Sequence, residues 1–398
     1  MPRTVVFLLL ALAFASPAWA LKLERVVLVQ RHGVRPPTSS NAELAKYAAA
    51  PWPEWSVPPG ELTPHGGETV RLMGETLRAA YRAKGLLPTA GCPGPGEVVV
   101  WADGTDQRTR RTGEILAAAL APGCGVKTGW AAPQPRDPIF GGSDGPACRL
   151  GDLEFRAAIL EAAGSEGVDT PATRAAIRRL QAIIAPKACE GGAGACLTGA
   201  ANAQSAIFVA ASLAEDLLLE YAEGMPAADV GWGRAASEAK IAAVMPTHER
   251  VISLMRRTPR LGAHAGAPMA RLVLAALAGE PTAQSSPATR ILALAGHDTN
   301  LTLMAGLFGL DWTLPGEPDA TAPATALVFE LWSDKGGLFV RPMIYYEPLD
   351  QLRSLQPQRA RKIALSFKGC ASGPMESCPL QTLRQRAEAL MPPDCGAA

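Results

Sequence analysis

Two arginines and a histidine stand together near the start of the chain, in the segment Arg31–Pro37, which reads Arg-His-Gly-Val-Arg-Pro-Pro. The segment follows a short apolar run, Val26–Val29, which is typical of a buried β-strand. Guanidinium groups match the oxygens of a phosphate group, and an imidazole can be a nucleophile that forms a covalent intermediate. Gly33 would allow the backbone to approach a ligand closely. The sequence therefore predicts a loop that holds a phosphate group beside His32.

Two later segments carry similar side chains, and each of them follows a predicted strand. Arg108 lies in the polar segment after the apolar run Val98–Trp101, and His297 and Asp298 follow the run Ile291–Ala295. Ligands of open α/β sheets bind outside the carboxyl ends of the strands. We therefore expect these side chains to converge on the first loop.

Three further assignments have a structural alternative. Glu215 lies in a helical pattern and could be an exposed charge, while Thr38 could do no more than hydrogen-bond within its loop. Arg108 belongs to a basic cluster and could be a solvated cation at the start of a helix. We retain all three as candidate ligands of the phosphate group or the substrate.

The order of the elements predicts an α/β fold with a mostly parallel sheet flanked by helices. Between the first two strands, Thr63 and Pro64 have the pattern of an N-cap and a first helical residue. Strand, helix, strand, helix is the pattern of a parallel sheet. Two late runs, Leu327–Trp332 and Phe339–Tyr346, predict an antiparallel hairpin.

Helical patterns replace the strand patterns in the middle of the chain. The predicted helices are Leu153–Ala163, Pro171–Ile184, Ser205–Glu223 and Ala235–Arg257. We interpret this part as a smaller, all-helical domain inserted into the α/β domain. The predicted division is a signal peptide (1–20), the first part of the α/β domain (21–149), the helical domain (150–265) and the second part of the α/β domain (266–398).

The first twenty residues have the pattern of a secretory signal peptide, with Arg3, an apolar run Val5–Ala15, and small residues Ala18 and Ala20 before the cleavage point. A membrane anchor is the alternative, but the run is too short to span a bilayer. Without Arg3 the chain has 37 basic and 37 acidic residues. This balance argues against nucleic acid or an anionic membrane as a partner. We expect a small-molecule substrate, no membrane insertion after cleavage, and a monomer.

An even number of cysteines in an exported chain indicates disulfides. The eight are Cys92, Cys124, Cys148, Cys189, Cys196, Cys370, Cys378 and Cys395. Cys189 with Cys196, and Cys370 with Cys378, are close enough in sequence to form local disulfides. Spacing alone leaves the pairing of the other four open. No Cys-x-x-Cys spacing occurs, so zinc is a weak alternative.

The ordered set of motifs resembles the histidine acid phosphatase family, within branch 2 of the histidine phosphatase superfamily. The resemblance covers Leu21–Cys395 and is nearest to the bacterial periplasmic acid phosphatases, phytases and glucose-1-phosphatases. The segments that carry it are Arg31–Thr38, Leu62–Pro64, Gly66–Glu68, Asp106–Arg110, Gly231–Arg234, Gly296–Asn300 and Asp311–Gly316.

The resemblance implies a role for each candidate residue. His32 would attack phosphorus, and Asp298 would protonate the leaving group and then assist the attack of water. The implied phosphate ligands are Arg31, Arg35, Arg108 and His297, and the implied substrate contacts are Thr38 and Glu215. No metal or other cofactor is expected, because arginines supply the positive charge. The resemblance also implies the disulfides Cys92–Cys124 and Cys148–Cys395.

We therefore expect an exported acid phosphatase that hydrolyses phosphomonoesters, sugar phosphates among them, in the periplasm or outside the cell. Ser39 stands where phytases of this family commonly carry Lys, and Arg260–Ala265 stands where they show a further Arg. Fewer cations would attract a hexaphosphate less strongly. A dedicated phytase or glucose-1-phosphatase is the near alternative, and a non-catalytic binding protein for phosphate esters is the alternative of another class.

Overall fold

The computed structural model describes residues 21–132, 136–141, 148–199, 203–357, 360–393 and 395. The predicted signal peptide lies outside the described residues. The strands are β1 (Lys22–Arg31), β2 (Val98–Ala102), β3 (Thr128–Trp130), β4 (Ile291–Gly296), β5 (Ala326–Asp334), β6 (Gly337–Tyr346), β7 (Arg361–Ala364) and β8 (Cys378–Pro379). The helices are α1 (Asn41–Leu44), α2 (Pro64–Ala83), α3 (Gln107–Leu120), α4 (Asp152–Ala163), α5 (Pro171–Ile184), α6 (Ala203–Ala222), α7 (Glu238–Val244), α8 (Pro246–Arg256), α9 (Pro259–Ala265), α10 (Ala267–Ala278), α11 (Asp298–Phe308), α12 (Leu349–Ser354) and α13 (Leu380–Leu390).

One sheet with a parallel and an antiparallel half forms the centre of the fold. Its order is β3–β2–β4–β1–β5–β6–β7, and β8 pairs with β6. The strands β3, β2, β4 and β1 are parallel, whereas the pairs from β1–β5 onward are antiparallel. The predicted α/β class is confirmed, and so is the hairpin of β5 and β6. The sheet is not mostly parallel as predicted, because β5 also pairs antiparallel with β1, and β7 and β8 pair antiparallel with β6.

The register of the parallel strands brings their carboxyl ends to one edge of the sheet. Arg31 at the end of β1 is the partner of Gly296 at the end of β4. Ala102 at the end of β2 is the partner of Ala295, and Trp130 ends β3 beside Ala102. The loops after these four strands therefore start next to one another.

Both faces of the parallel half are buried, which explains why its strands read as continuous apolar runs. Val27 and Val29 pack in a core that includes α10 and α11, and Val26 and Leu28 pack in a core with α2 and α3. A third core is formed mainly by α5, α6 and α7. Val34, from the loop after β1, is fully buried in this third core. The loop is therefore anchored to the helices as well as to the sheet.

A close backbone contact fixes the loop after β1 against the start of α2. Thr63 and Pro64 start α2 as predicted, and the Thr63 side-chain oxygen accepts a hydrogen bond from the Gly66 amide at 2.8 Å. A Cβ on Gly33 would lie 2.0 Å from the Gly66 carbonyl oxygen, and a Cβ on Gly66 would lie 2.1 Å from that of Val34. Our expectation that Gly33 makes room for a ligand is corrected here, because the room is taken by α2.

Helices occupy the chain between β3 and β4 in the described residues. Those predicted over Leu153–Ala163, Pro171–Ile184 and Ser205–Glu223 are found as α4, α5 and α6. The single helix predicted over Ala235–Arg257 is wrong, since α7 ends before Pro246 and α8 begins there. Proline lacks the amide proton of a helix interior but fits a first helical position. The division into domains stays a prediction.

All eight cysteines are paired, as the sequence and the family resemblance predicted. The disulfides are Cys92–Cys124, Cys148–Cys395, Cys189–Cys196 and Cys370–Cys378. The bridge from Cys148 to Cys395 joins parts of the chain that are 247 residues apart. It ties the end of the chain to the segment that precedes α4.

Within the described part of the chain, no single helix is both long and apolar enough to cross a membrane. Among the helices described above, α9 and α10 taken together are the one pair that meets that length and composition, and a bend of 77° separates them.

We expect Gly66→Ala to lower the free energy of unfolding by about 1–3 kcal/mol, because the added methyl group would meet the Val34 carbonyl. Gly67→Ala is the matched control in the same helical turn, since its Cβ would meet only the Ile115 Cδ1 atom at 3.2 Å. Alanine favours helix more than glycine does, so this control should be neutral or slightly stabilising. Urea denaturation of both variants measures the difference. Equal effects would contradict the tight contact between the loop and α2.

Candidate active site

Arg31 lies at the base of the site and has no exposed surface. Its Nη1 donates to Asp319 Oδ2 at 2.8 Å and to the Thr321 carbonyl at 2.6 Å. Its Nη2 donates to Glu215 Oε1 and lies 3.6 Å from Asp298 Oδ2. Burial alone would lower the pKa of Arg31, but the surrounding carboxylates, Asp298 first, raise it. Arg31 is therefore a fully buried and fully charged group.

His248 contacts the carboxylate oxygen of Asp319 that Arg31 does not bind. The His248 Nε2 atom lies 3.3 Å from Asp319 Oδ1, and the Thr321 amide donates to the same oxygen at 2.8 Å. Burial alone would lower the pKa of His248, but Asp319 raises it to about 10. Burial alone would likewise raise the pKa of Asp319, which His248 and Arg31 instead hold below its ordinary value. The carboxylate of Asp319 therefore lies between two positive charges, those of Arg31 and His248.

His32 is buried and has one defined hydrogen-bonding nitrogen. Its Nδ1 lies 2.8 Å from the Gly33 carbonyl oxygen, which can only accept, so Nδ1 carries the proton and Nε2 keeps its lone pair. Its ring stands edge-on to that of His297, with centroids 5.6 Å apart. Burial first, and then the charges of Arg108 and Arg35, hold the pKa of His32 well below its ordinary value. The neutral, nucleophilic form therefore persists into the acid range.

Arg35 and Arg108 place two more cations near His32. The Nη2 of Arg35 lies 3.6 Å from Glu215 Oε1. Arg108 lies in the first turn of α3, and its Nη2 donates to Asp106 Oδ2 at 3.0 Å while its Nη1 donates to a loop carbonyl at 3.1 Å. Burial lowers the pKa of Arg108, and the charge of Arg35 lowers it further. Both guanidinium groups therefore act electrostatically on His32.

The structure places Glu215 and Thr38 differently. Glu215 lies between Arg31 and Arg35 with its side chain 13% exposed, so it is a partner of the arginines rather than an isolated surface charge. Thr38 is exposed, and its methyl group would lie 3.5 Å from a Cβ on Gly60, in the loop that binds Arg108. A direct contact of either residue with a substrate stays a prediction.

β4 leads directly into α11, which begins at Asp298 and continues through the helix predicted over Leu301–Phe308. The Asn300 side chain accepts a hydrogen bond from the His297 amide at 2.9 Å and caps this helix. Burial alone would raise the pKa of Asp298, but nearby cations, Arg31 first, hold it below its ordinary value. Asp298 is therefore a carboxylate at the positive end of a helix, 3.6 Å from the guanidinium of Arg31.

Sequence reasoning missed Asp319 and His248, which pair behind Arg31. It also missed Asp103 and Arg136, which lie beside His297. Asp103 Oδ2 lies 2.9 Å from His297 Nε2 and accepts from Arg136 Nη2 at 3.0 Å. Arg136 Nη2 also lies 3.4 Å from His297 Nε2. Asp103 lies in the polar segment after β2, in which only Arg108 was expected to bind the phosphate group. Arg136 follows β3, whose three residues, Thr128–Trp130, contain no apolar run that could have marked a strand end.

Two groups of side chains in the described residues bring enough oxygen and nitrogen atoms together to be considered for a metal ion. They are Asp103, Asp106 and His297, and His248, Glu249 and Asp319. Both groups already contact guanidinium groups, through Asp103 with Arg136 and through Asp319 with Arg31. That charge neutralises the carboxylates without a metal, and a metal-free reaction stays our prediction.

The geometry supports chemistry on an anionic group. Guanidinium groups can bind phosphoryl oxygens in pairs, His32 Nε2 can attack phosphorus, and Asp298 can carry a proton to or from an adjacent oxygen. The N-terminus of α11 adds backbone dipoles that favour an anion at the same place.

A family model described as the histidine phosphatase superfamily, branch 2, matches residues 22–172 and 220–344. Phytase AppA of Escherichia coli (strain K12) is 34% identical over 388 residues, which cover 90% of this chain and 89% of that protein. A glucose-1-phosphatase of Salmonella typhimurium is 24% identical, with 90% of each chain covered. The structure of a Hafnia alvei phytase in complex with tartrate is similar as well, at 34% identity and a TM-score of 0.85, covering 96% of this chain and 99% of that one.

We expect Arg108→Gln to raise the pKa of His32, because it removes the cation that most opposes protonation of the ring. Arg108→Lys keeps the charge and is the matched control. With only five histidines in the chain, an NMR titration of the imidazole signals resolves the shift. An unchanged His32 pKa in the Gln variant would show that Arg108 does not act electrostatically on the ring.

Proposed function

The chain belongs to branch 2 of the histidine phosphatase superfamily, and we propose that it hydrolyses phosphomonoesters through a covalent phosphohistidine on His32. Its membership of this family and its similarity to a phytase and a glucose-1-phosphatase identify it as a phosphoric monoester hydrolase. The observation that carries the catalytic role is the hydrogen bond from His32 Nδ1 to the Gly33 carbonyl. It leaves Nε2 unprotonated among three arginines, which is the state that a nucleophile for a phosphate ester requires.

The phosphoryl group would be held by cations that do not depend on pH. Arg31, Arg35 and Arg108 remain charged throughout the acid range, and His297 lies beside them at the start of α11. Because their carboxylate partners already fix them, the donors need little reorganisation when charge builds up on the phosphoryl oxygens. Electrostatic positioning of this kind is the main contribution of a protein to phosphoryl transfer.

In the first step, His32 Nε2 attacks phosphorus, so a P–N bond forms while the P–O bond to the leaving group breaks. The leaving oxygen takes a proton from Asp298 and departs as an alcohol. Asp298 is ionised before the substrate binds, because Arg31 and Arg35 lower its pKa. A phosphomonoester below about pH 6 carries one proton of its own. Its negative charge offsets the arginines, raises the pKa of Asp298 and so allows this proton to pass to the carboxylate.

In the second step, water attacks the phosphohistidine. The Asp298 carboxylate accepts a proton from this water, the P–N bond breaks, and its electron pair returns to His32 Nε2. Inorganic phosphate then leaves. Since the first step needs a proton that is scarce at neutral pH, and His32 stays neutral at low pH, the mechanism gives an acidic optimum.

For the substrate, we propose broad activity on phosphomonoesters, sugar phosphates among them. Phytate hydrolysis is a second candidate, favoured by the 34% identity to phytase AppA against 24% and 26% to two glucose-1-phosphatases. Ser39, exposed next to Thr38, offers no cation to a polyphosphate.

We propose that the enzyme acts in the periplasm as a monomer, with secretion from the cell as the alternative. The signal-peptide pattern of residues 1–20 supports export. The four disulfides support an oxidising compartment.

Hydrolysis of p-nitrophenyl phosphate between about pH 3 and 8 tests the reaction. We expect activity that is highest in the acid range, persists with EDTA and is abolished by His32→Ala. Loss of activity with EDTA would contradict the metal-free mechanism. Binding of phosphate esters without turnover would instead identify a binding protein.

Asp298→Asn tests the proton donor through the leaving group. Nitrophenolate can leave without being protonated, whereas the oxygen of a sugar must be protonated as it leaves. We expect the variant to lose about 10²–10⁴ in the rate of His32 phosphorylation by glucose-1-phosphate and far less with p-nitrophenyl phosphate. Single-turnover quench experiments measure this step separately from the attack of water. Equal losses on the two substrates would remove Asp298 from the role of general acid.

A further inference from the structure

We propose that Asp103 is a positioning residue for the reaction. It fixes a proton on Nε2 of His297 and thereby leaves Nδ1 of that ring to bind the phosphoryl group. The inference rests on the proposed function of the same site. Asp103 follows β2 directly, and His297 follows β4, the neighbouring strand. Neither the motifs nor the family resemblance gives Asp103 a role.

The pairing of β2 with β4 places the two residues side by side. Ala102 is the partner of Ala295, and the Asp103 amide continues this ladder by donating to the Ala295 carbonyl at 3.0 Å. On the other side, the Thr109 hydroxyl of α3 donates to the Asp103 carbonyl at 2.6 Å. The backbone of Asp103 is therefore fixed both to the strand that leads to His297 and to α3.

The Asp103 side chain is fully buried, and each of its oxygens has a defined partner. Oδ1 accepts from the Thr105 amide at 2.9 Å, and Oδ2 lies 2.9 Å from the His297 ring. Burial alone would raise the pKa of Asp103, but the hydrogen bonds from His297 and the Thr105 amide hold it below its ordinary value. Asp103 is therefore an ionised carboxylate, which can only accept hydrogen bonds.

This carboxylate decides which nitrogen of His297 binds a ligand. Because Asp103 can only accept, the His297 nitrogen that it contacts, Nε2, carries a proton. Two other charged groups face the same nitrogen at longer distances, Asp106 Oδ2 at 3.5 Å and Arg136 Nη2 at 3.4 Å. The closer partner of Arg136 is Asp103 itself, at 3.0 Å. The proton on Nε2 is thus committed to Asp103, and Nδ1 is the nitrogen that can meet the phosphoryl group.

The charge of Asp103 also determines what Nδ1 can do. Below about pH 6 an imidazole is ordinarily protonated on both nitrogens, and Nδ1 is then a donor to phosphoryl oxygens. The His297 side chain is only 9% exposed, so this positive charge needs a partner. Asp103 supplies that partner without occupying the nitrogen that binds the ligand.

His32 shows the opposite arrangement in the neighbouring ring, whose centroid lies 5.6 Å from that of His297. Its Nδ1 is bound by the Gly33 carbonyl, a neutral acceptor that supplies no counter-charge. The carbonyl leaves His32 a neutral ring with a lone pair for attack, whereas the carboxylate of Asp103 favours a charged ring with a proton to donate. One ring can therefore attack the phosphoryl group while the other binds it.

Asp137 offers a matched control, because it repeats the contacts of Asp103 with a ring of another kind. It is buried, its Oδ1 accepts from the Ile139 amide at 3.0 Å, and its Oδ2 accepts from Trp101 Nε1 at 2.9 Å. An indole has one N–H group and no second nitrogen that could bind a phosphoryl group. Asp137→Asn therefore removes an equivalent buried carboxylate from a ring that has no part in the reaction.

The test is a double-mutant cycle on kcat/KM for p-nitrophenyl phosphate. For Asp103→Asn we expect a loss of about 10–100-fold, as for one charge-assisted hydrogen bond, because an amide cannot balance the charge on the ring. Asp103→Asn combined with His297→Gln should lose no more than His297→Gln alone, since Asp103 acts through that ring. Asp137→Asn should remain close to the wild type.

Three outcomes of the cycle would overturn the proposal. They are wild-type activity in Asp103→Asn, losses that multiply in the double variant, and an equal loss in Asp137→Asn. A wild-type enzyme that is inactive on p-nitrophenyl phosphate would instead refute the proposed function itself.

A measurement on the wild type does not depend on how the variants fold. Nitrogen-15 NMR of labelled histidines, with the signals of His297 assigned from His297→Gln, reports the protonation of each ring nitrogen. In alkaline solution, where the ring keeps one proton, we expect that proton on Nε2. In acid, inorganic phosphate should shift the Nδ1 signal more than the Nε2 signal. A proton on Nδ1 instead, or an Nδ1 signal that phosphate leaves unchanged, would contradict the role of Asp103.

Discussion

The ion pairs of Arg31 are the interaction on which the rest of the site depends. A fully buried guanidinium is stable only when it is paired and hydrogen-bonded, and breaking such a pair costs about 3–5 kcal/mol. Its partners come from three places: Glu215 from α6, Asp298 from α11, and Asp319 from the segment between α11 and β5. Satisfying one charge at the end of β1 therefore requires the helices to pack on this edge of the sheet. The same requirement fixes the residue after it, His32.

The same charges set the protonation of both reacting groups. Together with burial, the cations keep the imidazole of His32 neutral, and they keep Asp298 ionised. His32 is therefore in its nucleophilic form before the substrate binds, whereas Asp298 does not yet carry the proton that a general acid donates. The proton has to arrive with the phosphate ester, whose charge also offsets the arginines. Substrate binding and activation of the general acid are in this account one electrostatic event.

The sequence predicted the parts of the site that follow recognisable strands. Three of these strands read as apolar runs because both faces of the parallel sheet are buried: Val26–Val29, Val98–Trp101 and Ile291–Ala295. Each run is followed by a loop that carries side chains of the site. β3 has no such run, so the position of Arg136 could not be predicted. Nor could the pairing of Arg31 with Asp319, which lies 288 residues further along the chain and is brought back by the packing of α11 on β1.

Predictions made from neighbouring residues alone succeeded at the start of α2 and failed at Gly33. Thr63 and Pro64 marked the start of α2, since capping depends only on neighbouring residues. Gly33 has the small size that a ligand contact would need, yet its space is filled by Gly66, which only the tertiary structure reveals.

The most direct measurement of the central claim is the identification of the covalent intermediate. A reaction with p-nitrophenyl phosphate is quenched in alkali during the first turnover, where a P–N bond survives, and the peptides are mapped by mass spectrometry. The account predicts one phosphoryl group on the peptide that contains His32, and none on that peptide in His32→Ala. A phosphoryl group on another residue, or turnover with no covalent intermediate under these conditions, would contradict it.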